Sequence, residues 1–160
     1  MTRLDRRSLF FAGAALLAAP AALARGDPFA ASPWRKLSDA DWKKRLDPLG
    51  YAVLRHGFTE QPNTSPLEFN WKRGTYVCKG CGLPLFRSTW KYDSHTGWPS
   101  FWTVMTGAVA KKADFQLIEP RTEYHCARCL GHQGHVFDDG PRPTGLRYCN
   151  NGAALNFIAA

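Results

Sequence analysis

The sequence predicts one mainly β domain with short helices at its front end, and three observations carry that prediction. Fourteen glycines, eleven prolines and 13% aromatic residues in a chain of 160 favour a turn-rich β fold over a helical bundle. From Gly74 onward, short apolar runs rich in aromatic and β-branched residues alternate with Gly, Pro, Asn and Asp. Two Cys-x-x-Cys turns, Cys78 to Cys81 and Cys126 to Cys129, are separated by 44 residues and look built to be clamped together. With 44% hydrophobic content, the chain is long enough to bury a core of its own.

The N-terminus does not belong to that domain. Arg6-Arg7-Ser8-Leu9-Phe10, an apolar run from Leu9 to Leu23 and an Ala22-Leu23-Ala24 site read as a twin-arginine export signal over residues 1–24. Gly13 and Pro20 break the run, which falls short of the roughly 20 residues of a spanning helix. A retained anchor is therefore the lesser reading. The mature protein is expected in a bacterial periplasm, with no stable membrane insertion once the signal is removed. Residues 25–37 read as a linker and 38–160 as the domain. Of the net charge of +8, the first 24 residues carry Arg3, Arg6, Arg7 and Asp5, leaving +6. The remaining Lys and Arg are scattered, which describes a solvated basic surface and not a nucleic-acid interface.

Two short helices open the domain. Ser38 can cap the first, with Asp41 in its first turn, as far as Leu46. Asp47 caps the second, Pro48 takes its first position and Gly57 closes it. Phe58 to Arg73, with Pro62, Asn63, Pro66 and Asn70, reads as a wrapping loop. Strands are expected over Thr75 to Cys78, Leu83 to Trp90, Ser100 to Met105, Phe115 to Ile118, Glu123 to Cys126, His135 to Phe137 and Leu146 to Cys149. The segment Asp138-Asp-Gly-Pro141 supplies a turn between the last two.

Five cysteines divide into four and one. Each knuckle puts two thiolates on one tight turn, and two such turns can close a tetrahedral Zn²⁺ site with no open position, hence a structural one. Metal binding energy would then be folding energy. Disulfides would suit an oxidising compartment, and a Cys-x-x-Cys can be a redox motif; the latter wants a βαβ context, absent here. The remaining thiol, Cys149, reads as a buried structural cysteine if taken alone. Its neighbours argue otherwise. Arg147 and Asn151, two residues to either side, share its face of a strand and can favour a thiolate. His132 and His135 lie one turn upstream, so an imidazole can reach the sulfur, and the three together make a nucleophilic site. Either histidine could instead ligate metal, but four sulfurs leave zinc no need of them. His95 reads as a polar loop residue.

Gly74-Thr-Tyr-Val-Cys78-x-x-Cys81, Lys91-Tyr-Asp-Ser94-x-x-Gly97-Trp98-Pro-Ser-Phe101, Cys126-x-x-Cys129-x-Gly-His132-x-Gly-His135-Val-Phe137 and Arg147-Tyr-Cys149-x-Asn151 resemble the B-type methionine sulfoxide reductases over roughly Leu37 to Phe157. The resemblance implies two antiparallel sheets (a β-tent, or Mss4-like, fold) stapled by structural Zn²⁺ on Cys78, Cys81, Cys126 and Cys129. It also implies reduction of methionine-R-sulfoxide in oxidised proteins or peptides, with the choice between the peptide-bound and the free form left open. Cys149 would be the nucleophile, and Trp98 and Phe137 would bind substrate, Trp98 against its S-methyl group. His132 and His135 would bind and protonate the sulfoxide oxygen, with Asn151 and Arg147 supporting the cysteine.

One position departs from that pattern. Where many members carry a recycling cysteine, this chain has Thr96. Cys149 would end a turnover as a sulfenic acid with no internal thiol to condense with. An external reductant is expected: a thioredoxin-like or glutaredoxin-like protein, or a small thiol. Two other functions compete, a non-catalytic zinc-stapled binding module on the same fold and a peroxide-sensing thiol protein. The first has no use for Cys149 beside Arg147 and Asn151; the second has no use for a methyl-sized pocket at Trp98.

Overall fold

The computed structural model describes residues 26–117 and 119–160, so the expected export signal lies outside the described residues. Segment 26–37, expected as a linker, docks back on the domain through a 3-10 turn at Pro33–Lys36. Trp34 packs on Trp42 with ring centroids 6.2 Å apart, and the Arg35 guanidinium donates to the Ala127 carbonyl at 2.6 Å.

Helix α1 spans Asp39–Arg45 and α2 spans Pro48–His56. Ser38 and Asp41 form a reciprocal capping box on α1. The Asp47 carboxylate accepts the Gly50 amide at the head of α2, and Gly57, at φ 67°, ends that helix in the left-handed conformation that glycine tolerates. Trp42, Val53 and Leu54 are the buried side chains with which these helices cover the knuckle region. No described helix is long and apolar enough to cross a membrane.

Among the described residues nine strands follow: β1 Gly74–Cys78, β2 Pro84–Arg87, β3 Lys91–Tyr92, β4 Ser100–Phe101, β5 Val109–Asp114, β6 Arg121–Cys126, β7 His132–Phe137, β8 Arg147–Asn150 and β9 Leu155–Ala159. They form two antiparallel sheets, ordered β2-β1-β9 and β3-β4-β8-β7-β6-β5. Between the sheets lies an aromatic core: Phe86 stacks on Phe101 at 4.1 Å, Tyr76 meets Phe101 edge-on at 5.0 Å, and Tyr124 meets Tyr148 edge-on at 5.3 Å. Each contributes roughly 1.5–3 kcal/mol by leaving water, and the buried Tyr124 hydroxyl finds its partner in Asn150 Oδ1 at 2.7 Å.

The expected strand at Phe115 to Ile118 is not where a strand forms. Phe115 to Leu117 lie outside the sheet, and Ile118 lies outside the described residues. The strand is β5, just before them. Its Lys111 and Lys112 are poor β formers, but an edge strand favours lysine because charge blocks further pairing. Leu83 to Trp90 shortens to β2 plus a 3-10 turn, and Ser100 to Met105 shortens to β4. The closing strand β9, unforeseen in the sequence, pairs with β1 along its whole length.

Candidate active site

The two knuckles come together. Cys78 ends β1 and Cys126 ends β6, each followed by a tight turn bringing in Cys81 and Cys129. Both turns need a left-handed residue after the second cysteine; Gly82 supplies it at φ 71° and Leu130 at φ 61°. The four buried sulfurs all lie within 4.8 Å of one another. Cys78 Sγ and Cys129 Sγ are 3.6 Å apart, and Cys81 Sγ and Cys126 Sγ 3.5 Å. Four thiolates at about 2.3 Å from one tetrahedral zinc ion would stand about 3.8 Å from each other, so the donor set and spacing suit such an ion and are too long for disulfides. All five cysteines are free. Gln133 Nε2 donates to Cys78 Sγ at 3.5 Å, the sort of outer contact that steadies a metal ligand.

Strand register builds the second site. His135 stands directly opposite Cys149, and Phe137 opposite Arg147, across β7 and β8. Alternation then places His135, Phe137, Arg147 and Cys149 on one face, while Val136 and Tyr148 turn to the other. A cleft of about 120 Å³ opens over that face, lined by Cys149, His135, Phe137, Trp98, Asn151 and Thr59 among others.

Within the cleft, His135 Nε2 lies 2.6 Å from Asp114 Oδ2, which also receives Arg121 at 2.7 Å. An ionised carboxylate only accepts, so Nε2 carries the proton and Nδ1 is the nitrogen left for other work. The amide of Gln116, then His135 and Arg121, hold the Asp114 carboxyl down at about 2. Burial pushes the His135 imidazole below its ordinary range despite that carboxylate. Arg147 makes a bidentate ion pair with Asp139 at 2.7 and 2.8 Å and lies 4.3 Å over the Phe137 ring.

That pairing changes what Arg147 can do for the thiol. Burial pushes the Cys149 thiol above its ordinary range; the Arg147 charge and a hydrogen bond from Thr96 pull it down without reversing the shift. At neutral pH Cys149 rests as a thiol, ready to give up a proton during reaction. Thr96 belongs to a hydroxyl cluster with Ser94, at 2.8 Å, which in turn meets Ser100 at 2.7 Å.

Two expected residues sit differently. His132 is buried outside the cleft lining, its ring centroid 5.5 Å from that of His135. Its Nδ1 is 3.1 Å from Glu123 Oε1 but off hydrogen-bond alignment, so among the described residues neither ring nitrogen has a hydrogen-bond partner. Asn151 reaches the cleft, yet its amide is committed to the backbone: Nδ2 donates to the Gln133 carbonyl at 3.1 Å, and Oδ1 accepts the Glu60 N–H at 3.0 Å. It braces the strand end instead of facing the sulfur. His95 is exposed in its loop, 3.3 Å from Asp93.

Asp114, Asp139 and Glu60 went unread in the sequence. Asp139 stood in plain view inside a turn signal, and an arginine on a partly buried strand called for a carboxylate. Glu60 hid in a loop of helix and strand breakers that also carries Glu68.

Comparison with known proteins agrees with this geometry. A family profile described as a SelR domain matches residues 46–159. Peptide methionine sulfoxide reductase MsrB of Leptospira interrogans is 54% identical over 121 residues, covering 75% of this chain and 92% of that protein. The MsrB of Bradyrhizobium diazoefficiens is 50% identical over 119 residues, 74% of this chain and 86% of its own length. That of Agrobacterium fabrum is 48% identical over 127 residues, 79% and 94%. Fold, sulfur cluster and sequence agree: the chain belongs to the SelR-domain family, that of the B-type methionine sulfoxide reductases.

Proposed function

We propose that this chain reduces methionine-R-sulfoxide in oxidised proteins or peptides, with Cys149 as its single reacting sulfur. The observation that carries the reading is the facing of His135 and Cys149 across β7 and β8, beneath a cleft that Trp98 also lines. The relatives are named as peptide methionine sulfoxide reductases, which supports the same reaction class.

The chemistry follows from the parts. A sulfoxide oxygen leaves poorly until it is protonated, and the acid must sit by the attacked sulfur. His135 is held in one orientation by Asp114, and a proton from the Cys149 thiol can reach the oxygen directly or through that imidazole. The Cys149 sulfur attacks the sulfoxide sulfur; the oxygen ends on Cys149 as a sulfenic acid, and the thioether of methionine departs. Cys149 is oxidised by two electrons and the sulfoxide reduced by two. His132, behind His135, supports that ring. Trp98 and Phe137 hold the S-methyl end, and a pocket fitted to one methyl rejects the mirror-image sulfoxide.

Thr96 lies where a recycling sulfur would be needed, and the four other thiols are gathered in the metal cluster. Two external thiols therefore return Cys149 to its starting state, giving one disulfide and one water. A thioredoxin-like or glutaredoxin-like protein or a small thiol would serve. Zn²⁺ held by Cys78, Cys81, Cys126 and Cys129 would supply structure only, since four sulfurs leave it no open position. Export by the twin-arginine-type segment 1–24 would place the enzyme in the periplasm, where exposed methionines meet oxidants.

The test is an epimer-resolved assay on blocked methionine sulfoxide, with dithiothreitol, glutathione and a thioredoxin as alternative reductants. Wild type should consume the R epimer alone, and Cys149→Ser should consume neither while keeping its zinc and its fold. Turnover by Cys149→Ser would refute the assignment of Cys149, and a wild type that consumes neither epimer would leave the binding-module reading.

A further inference from the structure

We infer that Glu60, which lies outside the cleft lining, is a positioning residue: its carboxylate anchors the turn after Asn151 and so sets the Trp98 ring relative to Cys149. The inference rests on the reading of Trp98 as the substrate-methyl contact.

Glu60 lies in the loop between α2 and β1 and is 3% exposed. It bonds to three parts of the site. Its two carboxylate oxygens accept the backbone N–H groups of Gly152 and Ala153, the second at 2.8 Å. Those residues form the 3-10 turn that links β8, with Cys149, to β9. Its own N–H donates to Asn151 Oδ1 at 3.0 Å, and its carbonyl accepts the Trp98 indole N–H at 3.0 Å. Gly152 packs so closely on this loop that a Cβ there would lie 1.9 Å from Ser65 Oγ.

An indole N–H is the single polar atom of tryptophan, so its partner fixes the rotation of the ring. Here that partner is a backbone carbonyl of a loop with no regular hydrogen-bonded structure of its own. A second bond, Asn63 N–H to the Gly97 carbonyl at 2.7 Å, ties the loop to the segment bearing Trp98, but not to the strand bearing Cys149. The Glu60 carboxylate makes that second tie. A buried carboxylate receiving two amide donors is also stronger and stiffer than neutral bonding. Without it, the methyl-contacting ring and the attacking sulfur are left with the single Glu60 N–H to Asn151 Oδ1 bond as a shared reference in place of three.

The experiment uses the zinc-loaded holoprotein with Glu60→Ala and Glu60→Gln. For Glu60→Ala we expect KM for the blocked R-sulfoxide to rise about tenfold, or about 1.4 kcal/mol, with zinc content and the iodoacetamide rate of Cys149 unchanged. Glu60→Gln keeps one acceptor oxygen and should recover part of that loss. A readout free of catalysis is the Trp98 indole proton resonance, identified as the one missing in Trp98→Phe, which should move in both Glu60 variants. An unmoved resonance with an unchanged KM overturns the inference. So does a loss of zinc and of Cys149 reactivity alongside activity in both variants, because Glu60 would then merely hold the fold. If wild type itself reduced no sulfoxide, the functional reading would fail, and the resonance would still decide the role of Glu60.

Discussion

Gly134 faces the Cys149-bearing strand β8 so closely that no side chain fits. It pairs with Asn150 across β7 and β8, and a Cβ built on it would stand 2.0 Å from the Cys149 carbonyl oxygen and 3.0 Å from the Cys149 carbonyl carbon. Favourable contact begins near 3.5 Å, so Gly134→Ala falls short by more than an ångström. The obstacle is backbone on a central strand, which cannot swing aside as a side-chain tip can. The strands must part just where His135 and Cys149 face each other. Overpacking of this kind costs about 1–3 kcal/mol, and a misplacement of about 1 Å at reacting groups costs on the order of a hundredfold in rate. We expect Gly134→Ala to lower Tm by several degrees and kcat/KM by roughly a hundredfold, with zinc still bound. Thermal melting, zinc analysis and the epimer-resolved assay measure all three. Activity within threefold of wild type, with an unchanged Tm, would refute the close-packed register of these strands.

Other consequences can be checked alongside. Burial holds the Cys149 thiol above its ordinary range and Arg147 opposes this, so alkylation by iodoacetamide should rise with a midpoint above about 8.5. Arg147→Met should move that midpoint higher still, and a lower midpoint would show that Arg147 does not favour the thiolate. Burial keeps His135 from charging, so its folded pKa lies below the unfolded value of about 6.5. The unfolded chain therefore binds more protons as pH falls through 6.5, and stability should decline from there toward the folded pKa. His135→Gln should flatten the decline, leaving a residue from His125, which burial depresses in the same direction; an unchanged slope counts against a neutral His135. Structural zinc on four cysteines can be worth about 10–16 kcal/mol, as much as a whole domain's stability of about 5–15 kcal/mol. Chelation under denaturing conditions followed by refolding without metal should thus leave no cooperative melt, and an unaltered Tm would show that the cluster staples nothing.

How much of this was legible in the sequence depends on how local each feature is. The sulfur pairs and both helix caps are written in spacings of three or four residues, and they formed as the spacing implied. Cys149, Arg147 and Phe137 follow from strand alternation plus one register, which the sequence suggests but only pairing fixes. Asn151 shows where alternation stops: β8 ends at Asn150, a 3-10 turn follows, and the amide turns to Gln133 and Glu60. Strand β5 was hidden by its lysines, and with it Asp114, the partner of His135. Glu60 depends on contacts spanning 92 residues to Gly152 and 38 to Trp98, which no local pattern encodes.

The most direct measurement is a single turnover in the absence of any reductant. Zinc-loaded protein is mixed with excess blocked methionine-R-sulfoxide, quenched with dimedone and mapped by mass spectrometry. We predict one methionine derivative released per chain and one dimedone adduct, on Cys149, with the four clustered sulfurs unmodified. A disulfide joining Cys149 to a knuckle cysteine, or methionine released without any change at Cys149, would contradict the account.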